Sequence, residues 1–296
     1  MPSEGNVIDQ TACSRPDAIY ETRMDGFGVV EKPLGLAEYL WGSSVLRKTL
    51  LLLSMAAVWE GYASYLGNPL VFPTFTETVQ AFASELLNGP LLMRSARSLQ
   101  ILLTGYAIGL AIAAVLTSLA IATTPGRDLL ELLTALLTPL PAIALLPLTL
   151  VWFGLGTASY VFVLVHSVLW PVALNTYSGF RAVSPTLRMV GNTVGLSGPG
   201  MILRILIPAA FPHILTGLKI GWAFAWRTLV AAELVFGVSS SGSEGLGWYI
   251  FENKNALEIA NVFAGLFMVT VIGLLVEGII FRRIERLTVR RWGMQT

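Results

Sequence analysis

Among the ionisable side chains that stand inside largely apolar stretches are His166, Arg227 and Glu233. A guanidinium in such a stretch is costly to place in hydrocarbon, so Arg227 marks either a path for an anion or a partner group on a neighbouring helix. Pairing between Arg227 and Glu233 within one helix is unfavourable. Six positions separate them by about 9 Å along the axis and about 240° around it. Arg227 is therefore the first candidate to contact an anion, and His166, Asn175, Trp226 and Glu233 are the other candidates along a substrate path. Hydrogen bonding between packed helices is the competing role for His166 and Asn175. The tryptophans Trp152, Trp170, Trp222 and Trp226 suit stacking on an organic solute, yet tryptophan is also common at membrane interfaces.

The chain shows no catalytic pattern. It has no HExxH or GxSxG, and the serines Ser239, Ser240 and Ser241 have no histidine near them in sequence. Two histidines far apart do not suggest a metal site, and the single cysteine, Cys13, allows neither an intrachain disulfide nor a cysteine cluster. The phosphate-binding pattern GxxxxGK[ST] is absent, so the chain is not expected to bind ATP by that route, no cofactor is expected on it, and any energy source must be another subunit. A membrane-embedded protease and an ATP-independent channel or carrier are the alternatives to a transport subunit. Sparse carboxylates in the apolar runs speak against proton coupling.

These residues are positioned by an all-helical membrane protein. Of 296 residues 54% are hydrophobic and 12% charged, about half the charge of a soluble domain. Six apolar runs of spanning length are expected: 49–66, 99–122, 129–153, 159–180, 214–236 and 256–281. Glu60 in the first run must face protein or the water interface. Residues 76–87 carry the pattern of a short interfacial helix. The second run is rich in Gly and Ala, which suits close packing in lipid. Pro139, Pro141 and Pro147 interrupt the third, where freed carbonyls require a neighbour or a water-lined cavity. Residues 237–255, with Gly245, Leu246, Gly247 and Trp248, read as a turn-rich loop.

Basic residues lie unevenly across the loops. Arg47, Lys48, Arg127, Arg181, Arg188, Arg204 and five arginines after Phe281 fall on one side, and Arg94, Arg97 and Lys254 on the other. Both termini are therefore expected in the cytoplasm. The chain divides into a polar tail and entrance segment over 1–48, a membrane-spanning domain over 49–281, and a basic tail over 282–296.

Between the fourth and fifth runs lies a polar, glycine-rich break at 185–208. Met189-Val190-Gly191, three residues, Gly195, nine residues and then Ile205, with Ile207-Pro208 after one further residue, resemble the coupling loop of ABC-importer permeases. That pattern reads Glu-Ala-Ala, three residues, Gly, nine residues, Ile, any, Leu-Pro. The flanks 212–219 and 225–234, and the proline-rich 137–156, resemble the nitrate/sulfonate/taurine branch, over roughly 68–286. The resemblance implies a type I (MetI-like) fold with coupling helices in a bacterial inner membrane. The partners it implies are a cytosolic ABC ATPase dimer, a periplasmic binding protein and a second copy of the chain, with no nucleic acid. The cargo would be nitrate, a sulfonate, taurine or a related small anion. In the loop, Gly195 would allow close approach and Leu196 would supply an apolar plug. Ile205 completes the pattern, and Pro208 would end the second short helix. The acidic residue of the pattern is missing, leaving Arg188 as a substitute anchor, while Gly191 keeps the small residue that permits close helix approach.

Overall fold

A computed structural model describes residues 42–236 and 245–291. Cys13, most of the polar tail, the serines Ser239 to Ser241 and the last five residues lie outside them. The chain divides into two units, Met1–Met55 and Ala56–Thr296. The described part of the first is the beginning of one helix, α1 (Ser44–Leu66), which runs on into the second. All further elements belong to the second unit, and no strand occurs among the described residues.

After α1 come α2 (Phe75–Leu87), α3 (Leu91–Ala122) and α4 (Thr124–Leu137). A 3-10 turn (Ala142–Leu145) leads into α5 (Leu146–Phe153), followed by α6 (Thr157–Ala182) and α7 (Pro185–Thr193). The short α8 (Gly198–Met201) passes through a π-turn (Ile202–Leu206) into α9 (Ile207–Phe236). Then follow α10 (Leu246–Asn255), α11 (Ile259–Leu275), a second π-turn (Val276–Phe281), α12 (Arg282–Glu285) and a third π-turn (Arg286–Arg290).

Four helical stretches are long and apolar enough to cross a membrane: Leu91–Ala122, Thr157–Ala182, Ile202–Val235 and Ile259–Val289. The segments Thr124–Leu137 and Ala142–Phe153 make a fifth if taken together, bent by 85°. The bend falls where the prolines require it. Pro139 and Pro141 cannot donate to the helical ladder, the backbone becomes extended at Pro141, and Pro147 stands in the first turn of α5, where a missing N–H costs nothing. The remaining expected span, α1, does not meet the same measure of apolarity. Its Glu60 accepts hydrogen bonds from the Thr76 amide at 3.0 Å and the Thr76 hydroxyl at 3.1 Å, so the carboxylate faces protein. Thr74 and Glu77 form a reciprocal capping box that starts α2.

The centre of the second unit is α6, packed between α3 and α9. Small residues set this spacing. A methyl group added at Gly105 would lie 2.6 Å from the Leu164 Cβ, and one at Gly109 would lie 2.9 Å from the Val168 Cβ. Gly105, Gly109, Ala113 and Thr117, four residues apart, are the buried stripe of α3. On the other side of α6, Gly217 lies against Asn175 and Gly221 against Val172. Such stripes replace the hydrophobic effect as the source of association in lipid. The Tyr106 hydroxyl adds a polar link, donating to the Leu218 carbonyl at 2.9 Å.

Two expected boundaries shift. Residues 246–255 form α10 instead of part of a loop, because its first amides find partners on α3 and α9, described below. Beyond Phe281 the chain stays helical to Arg290, held by the buried Val289 and by a 2.6 Å ion pair between Lys219 and Glu285. The basic tail is thus largely an extension of the last span.

Replacing Gly105 by leucine is expected to cost about 1–3 kcal/mol through overpacking against Leu164. A lowered unfolding temperature in mild detergent checks this; an unchanged one would show that α3 and α6 can separate without loss.

Candidate functional site

The break between α4 and α5 opens a cavity of about 260 Å³ against α6 and α9. Thr138, Leu140, Pro141 and Ala142 come from the break, His166, Ser167, Trp170 and Pro171 from α6, and Phe224, Arg227 and Thr228 from α9. Two of the sequence candidates, His166 and Arg227, therefore meet at one place. The Arg227 guanidinium is exposed and makes no hydrogen bond or ion pair among the described residues. No carboxylate lines the cavity. Ser167 and Thr228 join its α6 and α9 walls through their hydroxyls at 3.2 Å. The His166 and Trp170 rings meet edge to face at 6.0 Å, and the Trp170 indole N–H has no hydrogen-bond partner among the described residues. One fixed positive charge, hydroxyls and an apolar wall are equipment for holding an anion.

Ser167, Thr228 and Thr138 escaped the sequence reading. Hydroxyls in apolar runs usually bond their own helix, and only the convergence of three segments makes these part of a cavity.

Three candidates for the path lie elsewhere. Asn175 turns back on its own helix, its amide donating to the Pro171 carbonyl at 2.8 Å, with Gly217 of α9 packed against it. Trp226 is buried and donates to the Val269 carbonyl of α11 at 3.2 Å. It lines a neighbouring groove between α9 and α11, which Arg227 also borders. Glu233 is 2% exposed. Its carboxylate accepts from the Ser98 hydroxyl of α3, 2.8 and 2.9 Å from its two oxygens, and from the Gly247 amide at 2.8 Å. The Ser98 oxygen in turn accepts from the Leu246 amide at 2.7 Å. Glu233 thus places its carboxyl group at the first turn of α10, where unpaired amides need an acceptor, and it ties three helices together. The expected lack of pairing between Arg227 and Glu233 is seen in this geometry.

The loop at 185–208 is a compact knob. Ser184 caps α7, its hydroxyl accepting from the Leu187 amide. The Arg188 guanidinium donates to the Phe180 carbonyl at 3.0 Å, so a cation closes the C-terminal end of α6 where an unpaired carbonyl and the dipole welcome it. Gly191 is buried, and a methyl group there would come within 2.6 Å of the Ile205 Cδ1 and the Met201 sulfur. Close approach is therefore the task of Gly191. Gly195 has open space around it and serves differently: its φ of 79° ends α7. The Gly195 amide bonds the Asn192 carbonyl and the Leu196 amide bonds the Gly191 carbonyl, the paired pattern of a left-handed helix stop. Leu196 is half-buried, and Ile205 packs with Phe180, Val183 and Leu206 in a small cluster of its own.

Pro208 does not end a helix. Helix continues through it because the Ile207 amide reaches back five residues to the Ile202 carbonyl, and this wider turn makes room for the ring. Met189, Val190, Val194 and Leu203 leave an exposed apolar surface on the knob.

A helical membrane chain with a carboxylate-free cavity at a broken span, and a protruding apolar loop between two long helices, is built as a transport permease. The chain belongs to the family of binding-protein-dependent transport system inner membrane components, whose model matches residues 105–291. It is 31% identical to a putative ABC transporter permease protein of Methanocaldococcus jannaschii, over 79% of this chain and 87% of that one. It is 27% identical to a putative aliphatic sulfonates transport permease protein of Bacillus subtilis, over 87% and 90%. Identity to a nitrate import permease protein of Synechocystis is 28%, over 81% and 88%. The chain is an ABC permease of the nitrate/sulfonate/taurine branch and a multi-pass component of the inner membrane.

Substituting Glu233 by alanine is expected to cost about 3 kcal/mol, since it strands the Ser98 hydroxyl and the Gly247 amide in a buried place. Substituting Arg227 by alanine should stay within about 0.5 kcal/mol, because no internal partner is lost. Thermal unfolding of both variants, side by side, measures the contrast; equal losses would mean that Arg227 is a structural residue.

Proposed function

We propose that the chain forms the translocation path of an ATP-driven importer for a small oxyanion, with Arg227 as the residue that meets the cargo. The observation that carries this reading is the unpartnered guanidinium at a cavity whose lining holds no carboxylate. A cation left without a partner in a membrane-spanning helix is stabilised best by a transient anionic ligand. The names of the relatives support the same chemistry, since an aliphatic sulfonate and nitrate are both small oxyanions. The Thr228 hydroxyl, which accepts from Ser167, keeps its own proton as a neutral donor beside the charge. Within this reading α1 is the sixth span, both termini face the cytoplasm, and a periplasmic binding protein delivers the cargo.

The knob is the element that docks on a cytosolic ABC ATPase. Its exposed Met189, Val190, Val194 and Leu203 fit an apolar cleft, while Arg188, Gly191 and Gly195 hold its shape. ATP and Mg reside on that partner, and a second copy of the chain completes the path. Closure of the ATPase dimer moves two knobs together, and each knob is joined through the π-turn to α9, the helix that carries Arg227. Force at the knob therefore reaches the cavity along one helix.

Two substitutions separate path from coupling. Arg227→Ala is expected to abolish uptake in a reconstituted importer while the ATPase still co-purifies. Gly195→Glu places a side chain at φ 79° and a charge on the docking face, and is expected to lose the ATPase while the membrane fold survives. Normal uptake by the first variant, or normal ATPase recovery by the second, would refute the corresponding half of the proposal.

A further inference from the structure

The extension of the last span presents a one-sided row of cations. Arg282, Arg283 and Arg286 are exposed, and their guanidinium groups make no hydrogen bond or ion pair among the described residues. The opposite face is fixed to the protein: Ile284 is half-buried, Glu285 is taken by Lys219 at 2.6 Å, and Val289 is 1% exposed. Glu277, the other carboxylate of this segment, borders the groove between α9 and α11 with Lys219, off the arginine face.

What the row faces follows from its height. Ile279 and Ile280, 57% and 51% exposed, are the last exposed aliphatic residues of the span above it. At the helical rise, Arg282 lies about 3 Å and Arg286 about 9 Å below Ile280. The polar layer on each side of a bilayer is about 5–8 Å thick. Arg282 and Arg283 therefore fall within the headgroup layer and Arg286 at its outer edge, within side-chain reach of lipid phosphates, with the exposed Leu287 beside them. A partner protein that met this face would have to reach into the headgroup layer.

We infer that Arg282, Arg283 and Arg286 form a binding site for anionic phospholipid of the inner leaflet. The leaflet assignment rests on the cytoplasmic placement of the C-terminus in the preceding reading; the contact with a lipid phosphate does not. The site is connected to the transport machinery, because the Lys219–Glu285 ion pair clamps the arginine helix to α9, which is continuous with the knob.

The test is lipid retention by the purified permease complex, reconstituted in phosphatidylcholine with and without phosphatidylglycerol and read by native mass spectrometry. Each basic residue near an anionic surface contributes roughly fivefold in affinity. The triple variant Arg282→Gln/Arg283→Gln/Arg286→Gln is therefore expected to lose phosphatidylglycerol on the order of 100-fold. The triple lysine variant should keep it, and the ATPase should co-purify with all three proteins. Undiminished phosphatidylglycerol on the glutamine variant overturns the site, as does loss of the ATPase in place of the lipid, which would make the row a protein-docking face. If the glutamine variant does not fold, salt decides on the native protein: retention that does not weaken as salt rises overturns the proposal. Retention in detergent is independent of leaflet, so an inverted topology would be found separately, by accessibility of the C-terminus in sealed vesicles.

Discussion

Close approach of α3, α6 and α9 is the constraint on which the remaining structure depends. In hydrocarbon an apolar side chain is as well solvated by lipid as by protein, so association must come from contact area and from polar links between helices. Glycines at 105 and 109 on one side, and at 217 and 221 on the other, bring the backbones of the flanking helices onto α6. With those three helices fixed, the broken segment between α4 and α5 has a surface against which to fold, and a cavity arises where its bend prevents further packing. A larger residue in either stripe would move a wall of that cavity before it altered any residue in it.

Three charged side chains of this assembly are each tied to a specific partner. The Glu233 carboxylate meets the first amides of α10, the Arg188 guanidinium meets a last carbonyl of α6, and Lys219 of α9 meets Glu285 of α12. Each charge therefore compensates a group that would otherwise be unpaired. Arg227 follows no such rule. It lies well inside α9, away from both ends, and has no compensating group, which is why it separates from the structural charges once their partners are known.

Much of the fold was legible in the residues. Proline spacing announced the broken span, and Gly and Ala enrichment announced the tight packing of α3. The spacing around Gly195 pointed to a knob between two helices. The misplacements share a cause: a local pattern does not state what lies across from it. Glu233 has the same sequence context whether it faces a pathway or the end of another helix, and only Ser98, 135 positions earlier, decides. Asn175 turned inward because a carbonyl one helical turn away was within reach of its amide. Gly191 and Gly195 look alike in sequence, yet one is needed for space and the other for a positive φ. Pro208 appeared to be a terminator because a proline in a regular α-helix would be one, and a five-residue reach in the backbone is invisible in the letters.

That wider turn, at Ile202–Leu206, has a geometric consequence for the way the knob faces. A π-turn accommodates one more residue than an α-helical turn over nearly the same height. The azimuth of everything before it, relative to α9, is therefore set by a single residue of chain. Keeping every residue but forcing the segment into a regular α-helix would swing α7 and its apolar face by about 100° around the axis of α9, whereas removing one residue would let the helix close regularly with that bearing nearly kept. The bearing of the knob is thus indexed like the teeth of a ratchet, in steps of one residue, while the cavity further along the same helix keeps its orientation.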